Sequence, residues 1–214
     1  MDDELKSLKD NATYSEPCEL PKGTKWVLKV KRNERGEIER YKSRLVAKGF
    51  LQKEGRDYKK TFAPVMQTAL LRSMLALATK HDWEIEHVDI KTAFLYGEID
   101  RELYIQLSNG SCRLLHKGIY GLKQAGRLWN KKFNATLISL GFLRCENDPC
   151  CYVLKDKSMI VMVHVDDCII LGPDKKRIQQ FKTGLENEYE IKDLGPVLGD
   201  RTHRHKNRFP LRRN

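Results

Sequence analysis

With 214 residues, 40% of them hydrophobic, the chain is long enough to bury one sizeable core or two small lobes, which excludes a wholly disordered polymer. The net charge of +11 is uneven: residues 22–60 carry fourteen Lys and Arg against five Asp and Glu, and residues 201–214 carry six Lys and Arg and no acid. Such blocks point to a polyanion partner, most simply nucleic acid, with ordinary surface charge as the alternative. No apolar run approaches the ~18–20 residues that span a bilayer, so no membrane partner is expected. The acidic start Met1-Asp2-Asp3-Glu4 lacks the apolar segment of a signal peptide. Cys18, Cys112, Cys145, Cys150, Cys151 and Cys168 make no C-x-x-C pair and no zinc-site spacing, and read as reduced thiols of an intracellular protein.

In chain order, residues 1–21 are polar, contain Pro17 and Pro21, and read as a flexible leader. Lys25 to Ala47 reads as a β-hairpin, with Asn33-Glu34-Arg35-Gly36 at its turn. Thr68 is the expected N-cap of a helix to about Lys80, because Leu70, Leu71, Met74, Leu77 and Ala78 fall at helical spacing. Glu84 to Phe94 reads as extended. A second helix covers roughly Gly126–Leu140, with Trp129, Phe133, Leu137 and Leu140 on one face and Gly141 ending it. Met159–Val163 and Cys168–Leu171 are apolar strands, and a third helix starts near Asp174 with Ile178, Phe181 and Leu185 inward. The irregular alternation predicts an α+β fold, an antiparallel sheet with helices on one face.

Asp166-Asp167 joins two of the most apolar stretches of the chain. A solvated turn is the ordinary reading of such a pair. Asp89 changes the estimate, since Val88-Asp89-Ile90 is again an acid among strand-forming apolar residues. Strand ends can bring the three carboxylates together, and that convergence is unfavourable unless a divalent cation offsets it. Hard oxygen ligands select Mg²⁺ or Mn²⁺, and a pair of such ions serves in-line phosphoryl displacement in polymerases and nucleases.

Asp89-Ile90-Lys91-Thr92-Ala93-Phe94-Leu95-Tyr96-Gly97-Glu98 resembles the first catalytic block of Ty1/copia-type retrotransposon reverse transcriptases. Arg40–Phe50 with Thr61-Phe62-Ala63-Pro64-Val65, Tyr120-Gly121-Leu122-Lys123-Gln124-Ala125 with Trp129, Asp148-Pro149-Cys150, and Lys192-Asp193-Leu194-Gly195 are similar to further blocks of that family, in the expected order. The resemblance covers roughly residues 20–199. It implies a right-hand polymerase with fingers and palm over residues 22–199, a divergent basic tail over 200–214, and no thumb. It also implies an RNA-directed DNA polymerase that joins dNTPs to a primer 3′-OH with two Mg²⁺ or Mn²⁺ ions. The partners implied are an RNA template, a DNA primer and the integrase and RNase H segments of a Pol polyprotein. The location implied is cytoplasmic, in a virus-like particle, or nuclear.

By that resemblance, Asp89, Asp166 and Asp167 are the catalytic metal ligands, and the carbonyl of Ile90 adds a further one. Phe94 takes the place of the ring that excludes a ribose 2′-OH, with a core aromatic as the alternative. Gly121 matches a glycine that leaves room for substrate. Lys42, Arg44 and Lys48 are candidates for triphosphate contact, sharing one face of a strand while Ser43 and Leu45 share the other; solvated side chains are the alternative. His164 and Val165 are expected beside the primer end, and His164 departs from the family's usual tyrosine. Gly126 stands where the family carries proline, the stretch from Tyr104 to Cys112 is short, and the likeness fades after Gly199. Two other readings remain: a decayed, inactive fragment that only binds nucleic acid, and a two-metal nuclease, which would have no need of Phe94 or of the basic hairpin.

Overall fold

Alternating and β-branched segments carry more of the chain into strands than into helices. The structure, a computed structural model, describes residues 2–18, 23–33, 35–106 and 111–197. Its elements are α1 (Asp2–Asp10), β1 (Tyr14–Cys18), β2 (Thr24–Arg32), β3 (Ile38–Ala47), α2 (Thr68–Lys80), β4 (Glu84–Ile90), β5 (Glu98–Gln106), β6 (Cys112–Lys117), α3 (Ala125–Ser139), β7 (Phe142–Arg144), β8 (Cys151–Leu154), β9 (Ile160–His164), β10 (Asp167–Gly172), α4 (Lys175–Glu186) and β11 (Ile191–Pro196). The basic tail of 200–214 lies outside the described residues. The chain divides into two compact units: Met1–Ala63 with Thr92–Phe133, and Pro64–Lys91 with Asn134–Asn214.

In the first unit, β1, β6 and β5 form an antiparallel sheet, and β2 and β3 form a separate hairpin. Residues 2–18 of the segment read as a leader form α1 and β1. Leu8 of α1 is buried in a core with Leu45, Leu103, Ile105 and Leu115, and β1 pairs with β6. Its polar composition hid this because a single buried leucine and one strand pairing suffice to hold so short a segment. Trp129 and Phe133, one helical turn apart on α3, stack with ring centroids 4.9 Å apart.

The second unit is a six-stranded sheet in the order β11-β4-β10-β9-β8-β7, antiparallel at every pairing. Its helices occupy both faces, correcting the one-face expectation. Side chains alternate along a strand. Ile85, Leu171 and Met162 pack against Leu75 and Ala78 of α2. The next residue, Glu86, points the opposite way and meets Lys182 of α4 at 2.9 Å. Tyr152 on that same second face bonds Asn134 of α3 at 3.1 Å. An alternation of apolar residues tells which face is buried, but not that both are.

Element ends follow local chemistry. Asp174 caps α4 by accepting from the backbone N–H groups of Lys176 and Arg177. The cap of α2 is Gln67 rather than Thr68, without a side-chain bond of its own. Buried Asp148 serves instead: its carboxylate accepts from Gln67 N at 3.1 Å and Cys150 N at 2.8 Å, a structural role for the Asp148-Pro149-Cys150 motif. Gly141, at φ +90°, follows α3 as expected of a C-terminal glycine. The extended run expected to Phe94 stops at Ile90; Thr92 turns the chain at φ +51°, and Ala93–Tyr96 forms a 3₁₀ turn. Cys112, Cys145, Cys150, Cys151 and Cys168 are free thiols.

Candidate active site

The acids are brought together by strand register. β4 and β10 pair so that Asp167 stands directly opposite Asp89, and β9 and β10 pair so that His164 stands opposite Asp167. On the far side of β4, Lys192 stands opposite Asp89. Directly opposed residues share a face, so His164, Asp167, Asp89 and Lys192 make one row across four strands. Asp166 sits at the β9–β10 turn, and its carbonyl accepts from Ile90 N–H at 2.8 Å. Val165, the first residue of that turn, is held at φ +59°. A β-branched residue there is strained, which a two-residue hairpin imposes on its first central position.

The field of these acids reaches the core behind them. The thiol of fully buried Cys168 is pushed up first by burial and then by Asp167, Asp166 and Asp89. The carboxylates are nevertheless not drawn into a ready-made cage: among the described residues, no three His, Cys, Asp or Glu side chains are gathered as a metal-holding group. Asp167 is instead turned to His87, whose Nε2 lies 2.9 Å from its Oδ1. Like charges repel, and a nearby donor such as this imidazole eases the cost for Asp167. The donor set, three carboxylates at one end of a sheet beside a backbone carbonyl, still fits a hard divalent cation by chemistry and placement. His87 was missed by sequence reasoning, although its position two residues before Asp89 puts it on the same strand face.

The remaining candidates lie in the first unit. Arg44, Phe94 and Gly121 gather around Tyr120, a motif residue to which the sequence alone assigns no role. The Phe94 ring meets Tyr120 edge-on at 4.9 Å, and the Arg44 guanidinium lies 4.7 Å above the Tyr120 ring. Phe94 is half-buried at the rim of the core, neither wholly core nor wholly exposed. Gly121 has φ +87°, and a Cβ there would fall 2.2 Å from the Ala47 carbonyl oxygen. Within the chain, the close approach that this glycine serves is to the end of β3. Gln52 ties the same segment down, its amide bonding Gln124 at 3.0 Å and accepting from Lys123 N at 2.8 Å.

The β2–β3 register sorts the hairpin into two faces. Lys25, Lys29, Lys31, Arg40, Lys42 and Arg44 fall on one, with Lys29 opposite Lys42 and Lys31 opposite Arg40. Leu28, Val30 and Tyr41 fall on the other and are exposed. Lys48 lies beyond β3 with φ −77° and ψ 71°, where strand parity no longer sets its face.

Comparison with known proteins gives this arrangement a family. The sequence model described as "Reverse transcriptase (RNA-dependent DNA polymerase)" matches residues 14–207. The Retrovirus-related Pol polyprotein from transposon TNT 1-94 of Nicotiana tabacum is 40% identical over 214 residues, covering 92% of this chain and 16% of that protein. The corresponding polyprotein from transposon RE2 of Arabidopsis thaliana is 37% identical over 191 residues, covering 83% of this chain and 13% of that protein. The chain thus spans a small part of each relative's length. Among solved structures, an apo telomerase from Candida tropicalis truncated from its C-terminal domain aligns over 90% of this chain and 54% of that one, at a TM-score of 0.45 and 10% identity. No helix among the described residues is long and apolar enough to cross a membrane. The match over residues 14–207 decides the matter: the chain belongs to the reverse transcriptase (RNA-dependent DNA polymerase) family.

Proposed function

We propose that this chain is the polymerase segment of a copia-type retrotransposon Pol polyprotein, transferring dNTPs to a primer 3′-OH on an RNA template. The observation that carries the reading is the register that sets Asp167 opposite Asp89, with Asp166 at the adjoining turn. Asp89, Asp166 and Asp167, with the Ile90 carbonyl, would hold two Mg²⁺ or Mn²⁺ ions. When bound, such ions lower the pKa of an attacking hydroxyl and stabilise the leaving pyrophosphate. The second unit then plays the palm and the β2–β3 hairpin the fingers, with integrase and RNase H supplied by other parts of the polyprotein.

Residue roles follow from the two regions taken separately. His164 and Val165, at and beside the strained turn, would meet the primer end. Lys42 and Arg44 present positive charge for a triphosphate, and Lys48 does so from outside the strand. Phe94, at the rim of its core with one ring edge on Tyr120, is suited to restrict the sugar. The like-charged pairs of the hairpin destabilise an isolated sheet, and a bound phosphate backbone would offset them.

Primer extension on a homopolymer RNA template with Mg²⁺ or Mn²⁺ tests the reading. Asp166→Asn should lower turnover by orders of magnitude while leaving duplex binding close to that of the parent, because a ligand and its charge are lost without touching the hairpin. Equal extension by the variant would sink it. The second reading, a fragment that binds nucleic acid without extending it, is the outcome if the parent chain binds the duplex but shows no metal-dependent extension.

A further inference from the structure

The carboxylate row includes one neighbour that the proposed chemistry has not used. His87 lies on β4 two residues before Asp89 and opposite Ile169 of β10, so its ring is on the face of Asp89 and diagonal to Asp167. Its Nε2 is 2.9 Å from Asp167 Oδ1. An ionised carboxylate only accepts hydrogen bonds, so the hydrogen is on Nε2. Both groups are partly exposed, with side-chain accessibilities of 29% and 44%, so the pair lies at the open end of the sheet rather than within the core.

We propose that His87 is a positioning residue for the metal-binding carboxylates, resting on the assignment of Asp89, Asp166 and Asp167 as ligands. Asp167 follows a strained turn and has two equivalent oxygens. The His87 bond engages Oδ1 and restricts rotation of the carboxylate, which leaves Oδ2 for a metal ion. Fixing a ligand through a hydrogen bond from outside the coordination sphere is a general way to strengthen a metal site, and loss of such a partner typically costs about 10–100-fold in affinity or activity. The Glu86–Lys182 ion pair, also made from β4, belongs to the opposite face and cannot take over this role.

The test is Mn²⁺ binding by the whole chain without nucleic acid, followed by the electron paramagnetic resonance of free Mn²⁺, with steady-state extension alongside. His87→Leu should weaken Mn²⁺ binding by about tenfold or more and lower kcat with little change in the KM for dNTP. His87→Gln, which keeps an N–H donor at similar reach, should restore most of both. A readout without any substitution is the ¹⁵N spectrum of the histidine rings: added Mg²⁺ should shift the His87 signals and leave those of His81, at the end of α2, in place. Mn²⁺ binding by His87→Leu equal to that of the parent, or a His87 spectrum indifferent to Mg²⁺, overturns the proposal. Asp89→Asn separates the two levels: if it abolishes Mn²⁺ binding while His87→Leu does not weaken it, only the His87 role is lost, whereas unchanged binding by Asp89→Asn removes the carboxylate site itself and the His87 proposal with it.

Discussion

Two hairpins of this chain, β2–β3 and β9–β10, solve opposite electrostatic problems. The β2–β3 hairpin is long and exposed; its turn runs from Asn33 to Glu37 with Gly36 at φ +80°, and Asn33 Oδ1 accepts from the backbone of Arg35 and Glu37. Its charges are many, positive and set opposite one another, which water tolerates cheaply. The β9–β10 hairpin has arms buried from Ile160 to Val163, with Cys168, Ile170 and Leu171 on the facing strand, and its tip carries Asp166 and Asp167 after a strained valine. Like charges crowded at the half-exposed end of a dry sheet are stabilised by a specific partner. A diffuse polyanion suits the first hairpin and a compact cation the second.

The sharpest way to probe dry against wet charge is to remove the same side chain from the buried side of the six-stranded sheet and from the exposed hairpin. Lys182 is 3% exposed and is bonded by Glu86 at 2.9 Å and by both oxygens of Asp193 at 2.8 Å. Burial alone would lower its pKa, but the bonds to Asp193 and Glu86 outweigh that and hold the ammonium above its ordinary value. Lys182→Met leaves Glu86 buried without its cation and should cost about 3–5 kcal/mol in urea unfolding. Lys29→Met on the exposed hairpin should stay within about 0.5 kcal/mol. Comparable losses at both sites would erase the distinction.

Next in size is the binding effect of the long hairpin. Replacing Lys29, Lys31, Arg40 and Lys42 by Gln should flatten the salt dependence of RNA–DNA duplex affinity, by roughly 0.9 in logarithmic slope for each phosphate no longer neutralised if the duplex behaves as B-form DNA. Replacing Leu28 and Tyr41, on the opposite face, by Ser should leave the slope unchanged. A slope that follows the Leu28 and Tyr41 changes instead would assign binding to the wrong face. The smallest effect concerns the short hairpin's tip. Val165→Gly relieves a positive φ and should raise stability by about 1 kcal/mol, or roughly 2–4 °C in Tm, less whatever the flexible glycine adds to the unfolded chain. A lower Tm would mean that the valine makes interactions worth more than its strain.

Much of this was legible in the sequence because the signals are local. The β2–β3 hairpin, the helices α2, α3 and α4, and the inward Ile178, Phe181 and Leu185 follow from periodicity and capping residues within a few positions of one another. Asp89, Asp166 and Asp167 stood out because acids are costly among apolar neighbours. What was not legible depends on pairing between distant segments. The leader's place beside β6 requires knowing that Leu115 lies opposite Tyr14, on the order of a hundred residues away along the chain. The two-sided sheet required knowing that Lys182 reaches Glu86. The His87–Asp167 bond links positions 80 apart in sequence, so no window on either one reveals it. The close approach of Gly121 to the Ala47 carbonyl likewise joins positions remote in sequence.

The placement of Asp89 opposite Asp167 carries a consequence for how such a chain can change. Both acids lie within paired strands, so their meeting is a matter of counting. Substituting Ile85 or Val88 by another apolar residue preserves the count, and the acids still face each other. Deleting one residue between Glu84 and Asp89 while β4 keeps its pairing would present a neighbour opposite Asp167 and turn Asp89 to the other face, toward the side that holds Lys182. The site thus tolerates rewording of its strands but not a change in their length, whereas an added residue in the exposed Asn33–Glu37 turn would lengthen a loop and leave every carboxylate where it was.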